Sequence, residues 1–402
     1  MVKRICAMLL AFVLGSAWLC LRAVRKEKDS LAAALLAAFL PHTAAVEVEI
    51  PAPSAVLMDA ATGTVLIEKN AHERLAPASV TKIMTLLLVM EALNEGRITM
   101  VGMVTTSEAA AAKGGSQVYL EVGEQMSMDE MLKSVVVSSA NDCATALAEH
   151  VAGSEAAFVE RMNARAAELG MQDTHFVNCT GLDDAPDAAE HLTSAYDIAV
   201  MSRELLKHDR IRNYTTIWMD TVRNGQFGLS NTNKLVRFYK GTTGLKTGYT
   251  SSAGHCLSAS AERDGLELIA VVLHCASSAD RFTSARALLD HGFANYALVQ
   301  TEPDEALPPL RVRLGTQTAL TPVLQDSAPL LTKKGAQIEK TVELPEELDA
   351  PLQSGQQLGT LTITSDGQTL AQIAIIAPEA VPRLSWWQLT MRLLQRLCMA
   401  GE

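Results

Sequence analysis

Cysteine is scarce in this chain and badly spaced for any joint task. The seven residues (Cys6, Cys20, Cys143, Cys179, Cys256, Cys275 and Cys398) lie far apart, with no CxxC or CxxxC pair among them. An odd, scattered set builds neither a disulfide framework nor a zinc site. Basic charge is also short: 34 lysines and arginines against 45 acidic residues leave a net charge of −11. A general nucleic-acid binder needs a basic face to neutralise phosphates, so no nucleic-acid partner is expected. Internal repeats and low-complexity tracts are absent too. What the chain does have is apolar mass, 48% hydrophobic against 20% charged over 402 residues. That fraction excludes a disordered protein and can fill one large core or two modest ones.

The two ends are the oddest parts of the composition. Lys3 and Arg4 open onto an uncharged apolar run from Ile5 to Leu21. A basic patch follows (Arg22, Arg25, Lys26, Lys28), then a second apolar run from Leu31 to Leu40. Pro41-His-Thr-Ala-Ala45 offers the small residues that a signal peptidase favours. Charge, apolar run and small-residue exit in that order mark residues 1–45 as an export segment rather than a buried helix. Which run is the signal stays open, because the basic patch resists translocation of the first. The alternatives are a misassigned start codon and a first run kept as an anchor.

At the other end, a helical wheel over Leu384 to Met399 gathers Leu384, Trp386, Trp387, Met391, Leu393, Leu394, Leu397 and Cys398 on one half. Gln388, Arg392, Gln395 and Arg396 gather on the other, with Leu389 at the boundary. The ordinary reading of such a pattern is a last helix docked on the protein's own core. Paired tryptophans, which are half of the chain's four, and an all-cationic polar face favour a helix lying in a membrane interface.

Between the ends, Ala55 to Lys69 reads as a hairpin turned around Thr62-Gly63. A helical stretch from about Ser79 to Asn94 is apolar on most faces and therefore buried. Residues 128–170 are helix-rich with breaks at Gly153 and Gly170, residues 178–191 form a loop, and Thr193 to His208 is helical again. A second strand pair covers residues 254–262 and 266–275, turned at Arg263-Asp264-Gly265. Cys256 and Cys275 come out diagonal rather than opposite on it, which predicts free thiols. Phe282 to Tyr296 is an amphipathic helix. From about residue 302 to 378 prolines, threonines and alternating runs such as GTLTITSDGQTLAQIAII predict a small, separate all-β domain.

Three short motifs carry the chemistry. In Ser79-Val-Thr-Lys82, a serine three residues before a lysine at a helix start places both on one face. A serine hydroxyl is a weak nucleophile and needs a base within hydrogen-bond reach. A buried lysine serves if desolvation and a second cation lower its pKa. In Ser139-Ala-Asn141, Ser139 would pass a proton between Lys82, the nucleophile and a leaving amine, while the Asn141 amide would hold Lys82 and bind a substrate carbonyl. Each of these two alone is as well explained by helix capping. The rarer Lys246-Thr-Gly248, followed by Tyr249, suits an edge strand on which a peptide can pair. Lys246 and Thr247 offer donors to an anionic group, Gly248 gives room for close approach, and Lys246 supplies the second cation for Lys82.

Taken together, SxxK, SxN and KTG resemble the penicilloyl-serine enzymes, the penicillin-binding proteins and serine β-lactamases. Further stretches are similar to the low-molecular-weight D-alanyl-D-alanine carboxypeptidases. They are Pro77-Ala-Ser-Val-Thr-Lys-Ile-Met84, Gly115-Ser-Gln-Val-Tyr-Leu120, Ser139-Ala-Asn-Asp142, Asn231-Thr-Asn-Lys-Leu235, Thr243-Gly-Leu-Lys-Thr-Gly-Tyr249 and Ala253-Gly-His-Cys-Leu257. The resemblance implies an α/β (α+β) fold of the DD-peptidase/β-lactamase type, an antiparallel sheet flanked by helices with a helical subdomain. It divides the chain into an export segment (1–45), a serine DD-peptidase domain (46–297), a small all-β domain (298–378) and an amphipathic anchoring helix (379–402).

The implied reaction is removal of the terminal D-alanine from peptidoglycan stem peptides through an acyl-serine intermediate, with β-lactams as acylating inhibitors and with no cofactor or metal. Ser79, Lys82 and Ser139 would be catalytic. The backbone N–H groups of Ser79 and Tyr249 would form the oxyanion hole, and Asn141, Lys246, Thr247 and Gly248 would bind substrate. Arg281 matches an arginine that the family places near the terminal carboxylate, although a helix-start salt bridge explains it equally well. The helix would tether an exported enzyme to the outer face of the cytoplasmic membrane. Two competitors remain. A β-lactamase needs a glutamate in an ExxLN-like loop, and residues 178–191 hold Glu190 without that motif. A non-catalytic peptidoglycan-binding protein would have no reason to keep Ser79, Lys82, Ser139 and Lys246 together. Endopeptidase or transpeptidase chemistry in the same site stays open. His191, in a family-like His-x-Thr-Ser-Ala stretch, reads as loop structure rather than catalysis.

Overall fold

Five segments form the central sheet: Ser54–Asp59 (β1), Val65–Lys69 (β2), Thr242–Thr250 (β3), Gly254–Arg263 (β4) and Leu266–Cys275 (β5). Their order is β2-β1-β5-β4-β3, with every pair antiparallel. These belong to a computed structural model that describes residues 48–184, 186–326 and 328–399, with side chains through 395. The export segment expected at 1–45 lies outside the described residues.

An antiparallel sheet with one wet face would alternate apolar and polar residues. Here β1 is buried at all six positions, and β5 is buried at every position but Glu267 and His274. The reason is that both faces are covered. Leu57 and Leu268 lie under Gly292 of helix α6 (defined below), where a Cβ would sit 2.4 Å from Leu268 and 3.0 Å from Leu57. Val56, Met58, Ile269 and Val271 point the other way, into the main helical core. The β4–β5 turn has Asp264 and Gly265 at φ 52 and 81, the left-handed pair that a two-residue hairpin favours.

Seven helices matter for the site: Lys82–Asn94 (α1), Met128–Val137 (α2), Asn141–Ala152 (α3), Glu155–Glu168 (α4), Ala195–Leu206 (α5), Ser278–Asn295 (α6) and Trp386–Met399 (α7). Every residue of α1 from Lys82 to Met90 is buried, as its all-round apolar sequence demands. The expected breaks at Gly153 and Gly170 are left-handed residues at φ 86 and 74 that close α3 and α4. A third break, at residues 138–140, separates α2 from α3 and carries Ser139.

The chain after α6 is all-β up to residue 376. Tyr296–Val299 pairs with Leu330–Lys333, and Lys334 Nζ donates to the Phe293 carbonyl at 2.6 Å, tying this part to the end of α6. The Gln357–Ser365 and Gln368–Ile376 strands turn at Asp366-Gly367, again a left-handed pair. Two small apolar clusters, one around Val312, Leu352 and Val381 and one around Leu361, Ile363 and Ile375, fill it. Helix α7 follows. Among the described residues no helix is long and apolar enough to cross a membrane. Cys143, Cys179, Cys256 and Cys275 are free thiols, and Cys275 faces His255 rather than Cys256 across the β4–β5 pair.

Gly292 gives this packing a sharp test. Alanine favours a helix interior by about 1 kcal/mol over glycine, yet the added methyl meets Leu268 and Leu57. Gly292→Ala is expected to lower stability by about 1–3 kcal/mol, measured as a drop in thermal and denaturant midpoints. A stabilised variant would mean that α6 does not sit this close to the sheet.

Candidate active site

Ser79 lies in a 3-10 turn, Ala78–Thr81, that runs directly into α1. Its N–H therefore belongs to the first helical turn, where donors have no intrahelical partner. Ala78 sits at φ 48, a left-handed conformation that a residue with a Cβ adopts only when its surroundings enforce it. One turn on, Lys82 Nζ donates to Ser79 Oγ at 2.9 Å and to the Thr180 carbonyl at 2.8 Å. Lys82 has no exposed surface. Burial lowers its pKa to about 7, with Cys179 and Asp142 opposing the shift.

The lysine's second partner comes from the loop at residues 178–191. Asn178 Oδ1 accepts the N–H groups of Thr180 at 3.1 Å and Gly181 at 2.6 Å, which shapes the turn that presents the Thr180 carbonyl. Gly181, at φ 81, lies so close to the nucleophile's turn that a Cβ there would fall 1.8 Å from the Ala78 oxygen. Thr85 Oγ1 donates to the Cys179 carbonyl at 2.6 Å, a second stitch one turn along α1. His191 closes the loop. Thr81 Oγ1 donates to the Ala78 carbonyl, so it accepts from His191 Nε2–H at 2.8 Å, while His191 Nδ1 accepts from the Val177 N–H at 3.1 Å. Burial lowers the His191 pKa to about 4, so the ring is neutral and structural, as its sequence context suggested.

Ser139 occupies the break between α2 and α3 at φ 65 and is only 4% exposed. Among the described residues its hydroxyl makes no hydrogen bond. Asn141 departs from the expectation that it holds Lys82. Its Nδ2 donates to the Gly114 carbonyl at 2.7 Å and its N–H to the Ser116 carbonyl at 2.7 Å. Its Oδ1 is buried without a partner among the described residues. Asp142, fully buried, accepts the Val118 and Leu120 N–H groups at 3.1 Å each. The 114–120 segment is thus bolted to the start of α3.

Strand β3 is the edge strand of the sheet and lines the third side. Lys246 is 1% exposed, with Nζ donating to the Thr247 carbonyl at 3.0 Å. Burial, then the charges of Lys82 and Arg281, hold its pKa well below the usual lysine range. The repulsion expected between the two lysines thus bears on Lys246, whereas Lys82 is lowered by burial. Thr247 Oγ1 donates to Thr232 Oγ1 at 2.7 Å, and the Thr232 N–H donates to the Val137 carbonyl at 3.1 Å. Residues 231–233 therefore bridge β3 to the approach of Ser139.

Gly248 also departs from the expectation. Its sequence context suggests room for a ligand, but the chain itself occupies that room. A Cβ would lie 2.6 Å from the Pro77 oxygen and 3.1 Å from Ser79 N. Tyr249 is 58% exposed, its ring stacked on His255 at 4.3 Å. Among the described residues Arg281 makes no salt bridge at the start of α6; its Nη1 donates to the Gly248 and Cys256 carbonyls at 3.0 and 3.4 Å, and its Nε is buried without a partner there. Cys143 is a buried apolar residue, its thiol pushed well up by burial.

The sequence marks Thr232 only as part of the Asn231-to-Leu235 stretch and His191 only as loop structure. It marks Thr180 and Gly181 only as members of the 178–191 loop. The contacts that tie them to the site are not legible in it.

A serine hydrogen-bonded to a fully buried lysine, against an edge strand that bears another buried lysine, with a second, left-handed serine at the start of α3, defines an active-site-serine acyl-transfer enzyme of the penicillin-binding class. No carboxylate bonds to Ser79 or Lys82 among the described residues, and Glu190 is exposed, unlike the water-activating glutamate that a class A-type β-lactamase requires. The chain belongs to the S11 family of serine D-alanyl-D-alanine carboxypeptidases. The family model described as D-alanyl-D-alanine carboxypeptidase matches residues 41–277, and that of the penicillin-binding protein 5 C-terminal domain matches residues 304–383. It is 43% identical over 338 residues to D-alanyl-D-alanine carboxypeptidase DacF of Bacillus subtilis, covering 82% of this chain and 85% of that one. It is 34% identical to DacC of Escherichia coli, covering 87% and 90%. The structure of penicillin-binding protein 5 from Haemophilus influenzae superimposes with a TM-score of 0.70 at 31% identity, over 83% of this chain and 98% of that one. Penicillin-binding protein D2 from Listeria monocytogenes, in an ampicillin-bound form, gives 0.56 at 29% identity over 61% and 99%. The chain is thus a penicillin-binding-protein-5-like serine carboxypeptidase of a family of extracytoplasmic cell-wall enzymes.

Gly248→Ala tests the packing of β3 on the nucleophile's turn. Pushing the strand off Ser79 is expected to slow penicillin acylation by about a hundredfold, the scale set by displacements near 1 Å. The measurement is the acylation rate, with the thermal midpoint as a control. Unchanged acylation would refute the close fit.

Proposed function

We propose that Ser79 is the nucleophile and Lys82 its general base, and that the substrate is a peptidoglycan stem peptide ending in D-alanyl-D-alanine. The observation that carries this is the 2.9 Å contact of a fully buried Lys82 Nζ with Ser79 Oγ, with the lysine pKa lowered to about 7. A neutral amine there takes the serine proton as Oγ bonds to the carbonyl carbon between the two D-alanines. The N–H groups of Ser79 and Tyr249 receive the oxyanion charge. Ser139, close-packed and unpaired, relays the proton to the departing nitrogen as the C–N bond breaks. Water then cleaves the acyl ester.

The substrate's terminal carboxylate, on the D-alanine that departs, is met by Lys246 and Thr247, and the peptide backbone by the edge of β3 and the Asn141 amide. Arg281 adds positive charge from behind the strand. β-Lactams acylate the same serine, a reading supported by the ampicillin-bound relative. The enzyme works at the outer face of the cytoplasmic membrane, held by α7. Trp386, Trp387, Met391 and Leu394 are 77, 66, 43 and 50% exposed on that helix, while Arg392 reaches back to the Gly315 and Thr316 carbonyls at 3.1 Å each. An apolar face left open beside a tethered polar one suits an interface helix.

The decisive assay is D-alanine release from diacetyl-Lys-D-Ala-D-Ala. Ser79→Ala is expected to reduce it by about 10⁴-fold or more. In the wild type, kcat/KM is expected to rise with pH up to about 7 and level off above it, because the base must be neutral to act. Release that persists in Ser79→Ala removes the nucleophile assignment. A chain ending at Arg383 is expected to keep peptide activity while losing sedimentation with anionic phospholipid vesicles; full binding by that chain would place the anchor elsewhere.

A further inference from the structure

Beside the cleft lies a group of side chains that the reaction does not use. The Trp218 carbonyl accepts the Asn231 N–H at 2.9 Å, and Phe238 ends the short helical turn Leu235–Phe238. The two aromatic residues thus flank the 231–233 bridge to Thr247. Their rings meet edge to face at 5.9 Å. The Arg237 guanidinium lies 5.9 Å from the Trp218 ring centre and 5.8 Å from that of Phe238. Phe238 is 60% exposed, and neighbouring Met219 is 67% exposed. Lys234, Arg237 and Lys240 are all exposed, and none forms an ion pair among the described residues. The nearby acid Asp220 is already paired with Lys133 at 2.9 Å. A chain with a net charge of −11 thus keeps three cations without an ion pair among the described residues, beside an exposed Phe238 packed edge to face on a half-buried Trp218, next to its cleft.

We infer that Trp218, Arg237 and Phe238, with Lys234 and Lys240 beside them, form a docking platform for the glycan strand of the substrate polymer. Exposed apolar side chains gathered within a polar surround mark interaction sites. A pyranose ring offers an apolar C–H face to an aromatic ring, and its hydroxyl and acetamido oxygens accept from a guanidinium. Stem peptides along the same strand carry carboxylates that suit the lysines. Binding the strand here raises the effective concentration of its peptide ends at Ser79. The identity of the polymer rests on the carboxypeptidase reading above.

The test compares the wild type with Arg237→Glu/Phe238→Ala and with Trp218→Ala, all as full chains. D-alanine release is measured from diacetyl-Lys-D-Ala-D-Ala and from insoluble cell-wall peptidoglycan. Each change is also placed in the Ser79→Ala background for pelleting with that polymer. The platform variants are expected to lose about tenfold in kcat/KM on the polymer, the equivalent of 1.4 kcal/mol. They are expected to stay within about twofold of wild type on the short peptide, and to pellet less. Equal losses on both substrates, or unchanged polymer activity and pelleting, overturn the inference. A wild type inactive on the short peptide defeats the carboxypeptidase reading instead, and pelleting then decides the platform alone. Should Trp218→Ala fail to fold, the double variant, altered only at exposed positions, carries the test.

Discussion

A lysine amine without access to water, shared between a serine hydroxyl and one backbone carbonyl, sets the terms for the rest of the molecule. Keeping a cation in such a place is unfavourable, so the amine sheds its proton near neutrality. That requires three walls with no gap wide enough for solvent. One is α1 itself, buried along most of its length. The second is the 178–191 loop, which supplies the Thr180 oxygen and rests Gly181 on the Ala78 carbonyl. The third is β3, brought against Ser79 by a glycine.

The central sheet makes that third wall rigid. Because helices cover both of its faces, β1 is buried throughout and β5 almost so, and neither can slide without moving the core. β3 stands at the edge of this frame, where an extended ligand can pair with a strand that does not yield. Left-handed Ala78 and Ser139 belong to the same economy of shape. Each sits next to or at a reacting group, and the packing around them holds what local preference would not.

Much of this was legible in the sequence because it rests on short-range geometry. Ser79 and Lys82 share a face through helical spacing alone, and the β4–β5 hairpin follows from Asp264-Gly265. That helices cover both faces of the sheet came only with the structure. The Lys82–Thr180 contact spans 98 positions, and no local pattern records it. Gly248 was legible as a glycine that something must approach, but which neighbour approaches depends on tertiary packing. Asn141 and Arg281 were found as site residues while their partners were not, since carbonyls of Gly114, Gly248 and Cys256 carry no mark in a sequence.

The neutral His191 between Thr81 and Val177 gives the molecule a direction of failure in acid. A free histidine takes up a proton near 6.5, and this one refuses it until about 4. The unfolded chain therefore binds a proton that the folded one does not. The clip's full contribution to stability is present above pH 6.5 and drains away as pH falls toward 4. Once protonated, Nδ1 can no longer accept from Val177, and the loop loses its hold on the turn that carries Ser79. Acid thus reaches the serine's footing from behind, through a ring that takes no part in the chemistry.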